Sequence, residues 1–118
     1  MTEFVRVDAD RLGQLYAQLG ERGAEDVVCR AMEELAARLS HTDQQYRGGD
    51  RAGLRKNARS LVAIAEQVGM HLLARVAQDV TTCIDAGDPV ALGAVQARLV
   101  RVGERSLFAV WDLQDLSL

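Results

Sequence analysis

Apolar residues recur along this chain at steps of three and four, the spacing that gathers side chains on one face of an α-helix. Glycine, aspartate and proline fall between these runs as punctuation. After a short lead holding Phe4, Val5 and Val7, Asp8 can cap a first, short helix that carries Leu12, Leu15, Tyr16 and Leu19 and ends at Gly20. The pattern predicts a second helix from about Ala24 to Tyr46, with the stripe Ala24, Val28, Ala31, Leu35 and Leu39. Glu25 and Asp26 at its start suit the positive end of the helix dipole. Gly48 and Gly49 break it, and Asp50 caps a third helix with the narrow seam Leu54, Ala58, Leu61, Ala65 and Val68. Gly69 ends that helix, and a fourth carries Leu72, Leu73, Val76, Val80, Cys83 and Ile84. Gly87-Asp88-Pro89 supplies a stop, a cap and a proline at the first helical position, opening a fifth helix with Ala91, Val95, Leu99, Val102 and Val110.

Four of these stretches are about 17 to 25 residues long, or rods of roughly 25 to 35 Å. Rods of matched length joined by short turns predict an all-α fold, an antiparallel up-down four-helix bundle with a short additional N-terminal helix. One domain is expected over 1–118, a length that can bury a core without disulfide or metal staples. Hydrophobic residues at 48% and charged residues at 26% are a globular balance, and aromatics at 4% leave few strand formers.

A formal charge of -3 argues against gripping nucleic acid through the overall field. No apolar run approaches the roughly 20 residues of a membrane span, and MTEFVRVDAD lacks the basic start and apolar core of a signal peptide, so a cytoplasmic protein is expected. Cys29 and Cys83 fall within apolar stripes and predict buried thiols; they lack CxxC spacing and a paired histidine. Glu33 and Glu34 are expected to face solvent. Phe108 and Trp111 are expected to pack on the end of the bundle, with anchoring of a partner as the other use of such aromatics. No catalytic triad, metal-binding pair or phosphate-cradling loop is evident, and no cofactor is expected; Gly48-Gly49 joins two helices, where a phosphate loop needs a strand first.

Arg51, Arg55 and Arg59 recur at i, i+4 and i+8 on the third helix with Lys56 beside them, a basic stripe on an acidic protein. Arg51 in the first turn opposes the helix dipole, so helix stability does not explain it. The stripe is small and no aromatics interleave with it, which disfavours nucleic acid.

The segment Ala58-Arg59-Ser60-Leu61-Val62-Ala63-Ile64-Ala65-Glu66-Gln67-Val68-Gly69, followed by Leu73-Ala74, resembles the signature of histidine phosphotransfer (HPt) domains of bacterial phosphorelays. That signature reads Ala-His-Ser-Leu-Lys-Gly-x-Ala-x-x-x-Gly and then Leu-Ala, and Ala58, Ser60, Leu61, Ala65, Gly69, Leu73 and Ala74 match it. The layout over about residues 8 to 112 is also similar, with Gly49-Asp50 before the signature helix and Gly87-Asp88 before the last. Departures fall on the chemistry. Arg59 stands at the phosphoacceptor histidine, and a guanidinium is no phosphoryl acceptor. Val62 replaces the lysine that steadies the phosphoryl charge, and Ala63 the glycine that lets the partner approach.

The resemblance implies a degenerate, non-catalytic member of a two-component system that docks a response-regulator receiver domain, or a related signalling protein, without accepting phosphate. The partner would lie on Arg51, Arg55, Lys56, Arg59, Val62, Ala63 and Glu66. A guanidinium at Arg59 is suited to pair bidentately with the acidic cluster of such a receiver. Two alternatives stay open: a structural or homodimerising bundle without a relay role, and phosphotransfer through His71. His41 reads as an ordinary surface histidine. No nucleic-acid or membrane partner is expected.

Overall fold

The computed structural model describes residues 6–116, with side chains described to residue 110. It holds four helices, α1 (Ala9–Arg47), α2 (Arg51–Gln67), α3 (His71–Ala86) and α4 (Pro89–Leu116), and no strand among the described residues. Phe4, Val5 and the side chain of Trp111 lie outside the described residues.

Three of the helices, α1, α2 and α4, begin where an aspartate satisfies free N–H groups, whereas α3 starts after Met70 without a side-chain cap. Asp8 Oδ1 accepts from the N–H groups of Asp10 and Arg11 at 3.0 and 3.2 Å, and Asp50 Oδ1 accepts from Gly53 N–H at 2.9 Å. Asp88 Oδ1 accepts from Ala91 N–H at 3.0 Å beside Pro89. α3 ends at Gly87, in the left-handed conformation that lets its N–H return to Ile84 O at 3.0 Å.

The stretches expected on either side of Gly20 are one element. The short additional N-terminal helix is the first segment of the 39-residue α1, interrupted at Gly20, where φ is 74° and ψ 172°. Glycine takes that conformation without steric cost, so the chain turns within the helix and needs no loop. The predicted set of matched rods becomes a long α1 and α4 beside α2 and α3 of 17 and 16 residues.

Each helix packs on the next in the chain and α1 packs on α4, while α1 and α3, and α2 and α4, lie across the core from one another rather than side by side. The four therefore ring a common core, in a bundle-like arrangement. The expected stripes of the second and third stretches are buried throughout, and every residue of the Leu54-to-Val68 seam is fully inaccessible. On α4 the buried face is rotated from the expected one: Ala91 and Val95 are half-buried, while Leu92 and Gln96 are buried beside Leu99, Val102 and Val110. A glutamine in the middle of the stripe conceals this centre from a hydrophobic pattern. Gln96 reaches Thr42 Oγ1 through Nε2 at 3.3 Å, Thr42 donates to Leu39 O at 2.7 Å, and Gln96 Oε1 has no described partner.

Other expectations change as well. Tyr16 and Leu19 are 38% and 48% exposed, because the segment before Gly20 contacts the core chiefly through Leu15, Leu12 and Val7. Cys29 is exposed and Cys83 half-buried: the buried stripe of α1 runs through Val28, one residue short of Cys29. Phe108 is 67% exposed and does not pack on the bundle, since Val110 and Ser106 occupy the inner face of that turn. No described helix is long and apolar enough to cross a membrane.

Candidate functional site

The orientation of α2 follows from what its inner face must bury. Leu54, Ala58, Leu61 and Ala65 fill the core, and Asn57 ties the helix to α1, accepting from Arg38 Nη1 at 3.0 Å and donating to Arg38 O at 3.2 Å. With these positions held inward, the helical turn of about 100° per residue places Lys56, Arg59, Ala63 and Glu66 outward. All four are exposed, and Arg55, Ser60 and Val62 are partly so. Ala52, Arg55, Lys56, Arg59, Ser60 and Ala63 line one open depression on this face.

The structure divides the basic stripe into engaged and disengaged members. Arg51 sits over the Tyr46 ring, 5.1 Å from its centroid, and donates to Tyr46 O at 3.3 Å. Its guanidinium thus meets the carbonyl-rich end of α1, a partner that the first turn of α2 does not supply. Arg55 forms two parallel bonds to Asp85 on α3, Nε to Oδ1 at 2.8 Å and Nη2 to Oδ2 at 3.0 Å. These bonds, with the charge of Arg59 adding to them, hold the Asp85 carboxyl below its ordinary range and push the Arg55 guanidinium up. Lys56 and Arg59 form no ion pair with any described residue. Ser60 turns its hydroxyl back to Lys56 O at 3.3 Å.

Glu66, at the far end of the same face, is committed elsewhere. Its Oε2 lies 3.0 Å from His71 Nδ1, and Asp8 Oδ2 lies 2.8 Å from His71 Nε2. Both carboxylates favour the imidazolium, Asp8 the more strongly, so His71 titrates above its ordinary value. Asp8 is in turn held below its own, first by His71 and then by the N–H of Arg11. Asp8 N–H donates to Gly69 O at 2.9 Å, and Arg11 Nε donates to Gln67 O at 3.0 Å. The result is a clamp that joins the chain before α1 to the turn between α2 and α3.

Comparison with protein-family models, with curated proteins and with solved structures found no match. The chemistry of the site therefore rests on its residues. Among the described residues no group of three or more His, Cys, Asp and Glu side chains is placed to hold a metal. Two cations without a described ion pair, beside an open depression, offer positive charge and up to eight N–H donors to groups of opposite charge. The ring nitrogens of His71 both face carboxylates, so the imidazolium form has no lone pair to offer. His41 is exposed, as expected of a surface histidine.

Sequence spacing found the basic stripe but not its division. The partners that separate Arg51 and Arg55 from Arg59 lie on α1 and α3, and no local pattern announces them. The His71 clamp was likewise missed: Glu66 is five residues away across a turn and Asp8 is 63 residues away.

Proposed function

We propose that this chain is a non-catalytic, HPt-like signalling protein of a bacterial two-component phosphorelay. In this reading it is cytoplasmic, and the outer face of α2 docks the acidic pocket of a response-regulator receiver domain. The single observation carrying it is Arg59, exposed and without an ion pair among the described residues, at the position where the resembling family keeps its phosphoacceptor. A histidine there acts as nucleophile toward a phosphoaspartate; a guanidinium instead forms charge-assisted bonds with the pocket's carboxylates and leaves their phosphoryl chemistry untouched. Lys56 adds a second cation one turn away, and Val62 and Ala63 supply a smooth apolar surround. Bound in this way, the protein would occupy a receiver and withhold it from catalytic relay partners.

The joins between helices support an HPt-like, antiparallel arrangement: so few residues separate α1 from α2, α2 from α3 and α3 from α4 that each chain reversal brings the next helix back along its neighbour. Phosphotransfer through His71 is disfavoured by its two carboxylate partners, which engage both ring nitrogens and favour the imidazolium form.

Calorimetric titration with the receiver domains encoded in the same genome tests the reading. A receiver that binds the wild-type chain should bind Arg59→Ala roughly tenfold or more weakly, in the range for loss of a charge-paired arginine. Equal affinity would remove Arg59 from the interface. Incubation with a phosphorylated receiver should leave no acid-labile label on the protein; label that disappears in His71→Ala would establish the transfer reading instead.

A further inference from the structure

The outward face of α4 differs in kind from the other surfaces. Val90, Ala94, Ala97, Arg101, Glu104 and Phe108 are all exposed, and they follow one another at steps of four, three, four, three and four. That is the spacing of a seam by which one helix meets another. Four of the six are apolar, with Val90 83% and Phe108 67% exposed. From Glu21 to Ala37 of α1 the exposed positions are mostly charged, holding Glu21, Arg22, Glu25, Asp26, Arg30, Glu33 and Glu34 with Cys29, Ala36 and Ala37 among them. α4 is thus apolar on two sides, and its inner side already fills the core. The two charged positions in the seam are adjacent, opposite in sign, and form no ion pair with a described residue.

We infer that this face is a homodimer interface, closed by a second copy of the same chain whose α4 runs in the opposite direction. A two-fold contact must be complementary to itself. Two such helices crossing at the midpoint between Arg101 and Glu104 set Arg101 of each copy against Glu104 of the other. The same register sets Ala97 against Phe108, a small residue against the ring of this seam. Other registers fail. Parallel helices would oppose arginine to arginine, and a shift of one seam step in either direction opposes Arg101 to Arg101 or Glu104 to Glu104 across the contact. The pattern therefore selects one occupant and one alignment. In this register the seam residues that face one another run from Ala97 to Phe108, roughly 17 Å of helix. α2 is not a side-by-side neighbour of α4, so the pairing leaves the Arg59 face open.

Charge reversal separates this proposal from a merely sticky surface. In sedimentation velocity over the micromolar range the wild-type chain should form a concentration-dependent dimer. Arg101→Glu and Glu104→Arg should each shift the protein to monomer, because each copy then opposes like charges at two places. An equimolar mixture of the two variants should recover a dimer, now a heterodimer, since one copy is acidic at both positions and the other basic at both. Both sites are exposed, so helix content by circular dichroism should match the wild type. Phe108→Ala should weaken the dimer without abolishing the charge effect. A wild-type chain that stays monomeric, a dimer that survives both reversals, or a mixture that fails to associate would each overturn the assignment. None of these outcomes depends on receiver binding, so the two ideas fail separately.

Discussion

Gly69 and Gly49 offer a comparison in which one substitution is made twice against different surroundings. Both glycines have left-handed backbone, with φ of 77° and 75°. Alanine at either position suffers the clash of a Cβ with the neighbouring carbonyl, about 1–2 kcal/mol. At Gly49 nothing else lies within 4 Å of the added carbon. At Gly69 that carbon would stand 2.8 Å from Asp8 Cβ and 3.1 Å from both the N and the O of Asp8. Main-chain atoms cannot swing aside as a side-chain tip can, so the segment before α1 must move, and such overpacking typically costs a further 1–3 kcal/mol, roughly. Gly49→Ala should therefore lose about 1–2 kcal/mol and Gly69→Ala about 2–5 kcal/mol. Urea denaturation followed by circular dichroism measures both, provided the slope with denaturant is unchanged and the loss reads as a shift in midpoint. Hydrogen exchange adds a local readout: the N–H of Asp8, bonded to Gly69 O at 2.9 Å, should lose protection in Gly69→Ala and keep it in Gly49→Ala. Losses equal within about 0.5 kcal/mol, with Asp8 still protected, would refute the packing of the N-terminal segment on this turn.

Two further predictions concern buried and titrating groups. His71 titrates near 6.5 when unfolded and above it when folded, so its clamp stabilises fully below about pH 6.5 and the contribution fades as pH rises through the folded value. Asp8 behaves in the opposite sense: its contribution is present above 3.8 and is lost as pH falls through its lowered folded value. Urea midpoints should accordingly decline from neutral to alkaline pH in the wild type and much less in His71→Gln; identical slopes would show that the clamp does not form in solution. Gln96→Met should be neutral or stabilising by about 1 kcal/mol, because it removes a carbonyl oxygen buried without a described partner and leaves Thr42 bonded to Leu39 O. A loss above roughly 2 kcal/mol would instead mean that Gln96 Oε1 is satisfied, as by an internal water.

Helix identity and turn chemistry were legible in the sequence because they are local. Asp8, Asp50 and Asp88 reach N–H groups two or three residues away, and Gly87 ends α3 through its own backbone angles. The α2 seam was equally legible, since a period of three and four in a helix with one buried side permits one orientation. The sequence also placed a basic stripe on α2. What tertiary structure alone decided is which charges remain available. Tyr46 and Asp85, from the ends of α1 and α3, occupy Arg51 and Arg55, while Asp8 and Glu66 enclose His71. The rotated face of α4 and the exposure of Phe108 were decided in the same way, by which side of a doubly apolar helix packs on α1 and α3. Periodicity reports the preferences of one helix, whereas the fate of a charge or a second apolar face depends on groups that only folding brings within a few ångströms.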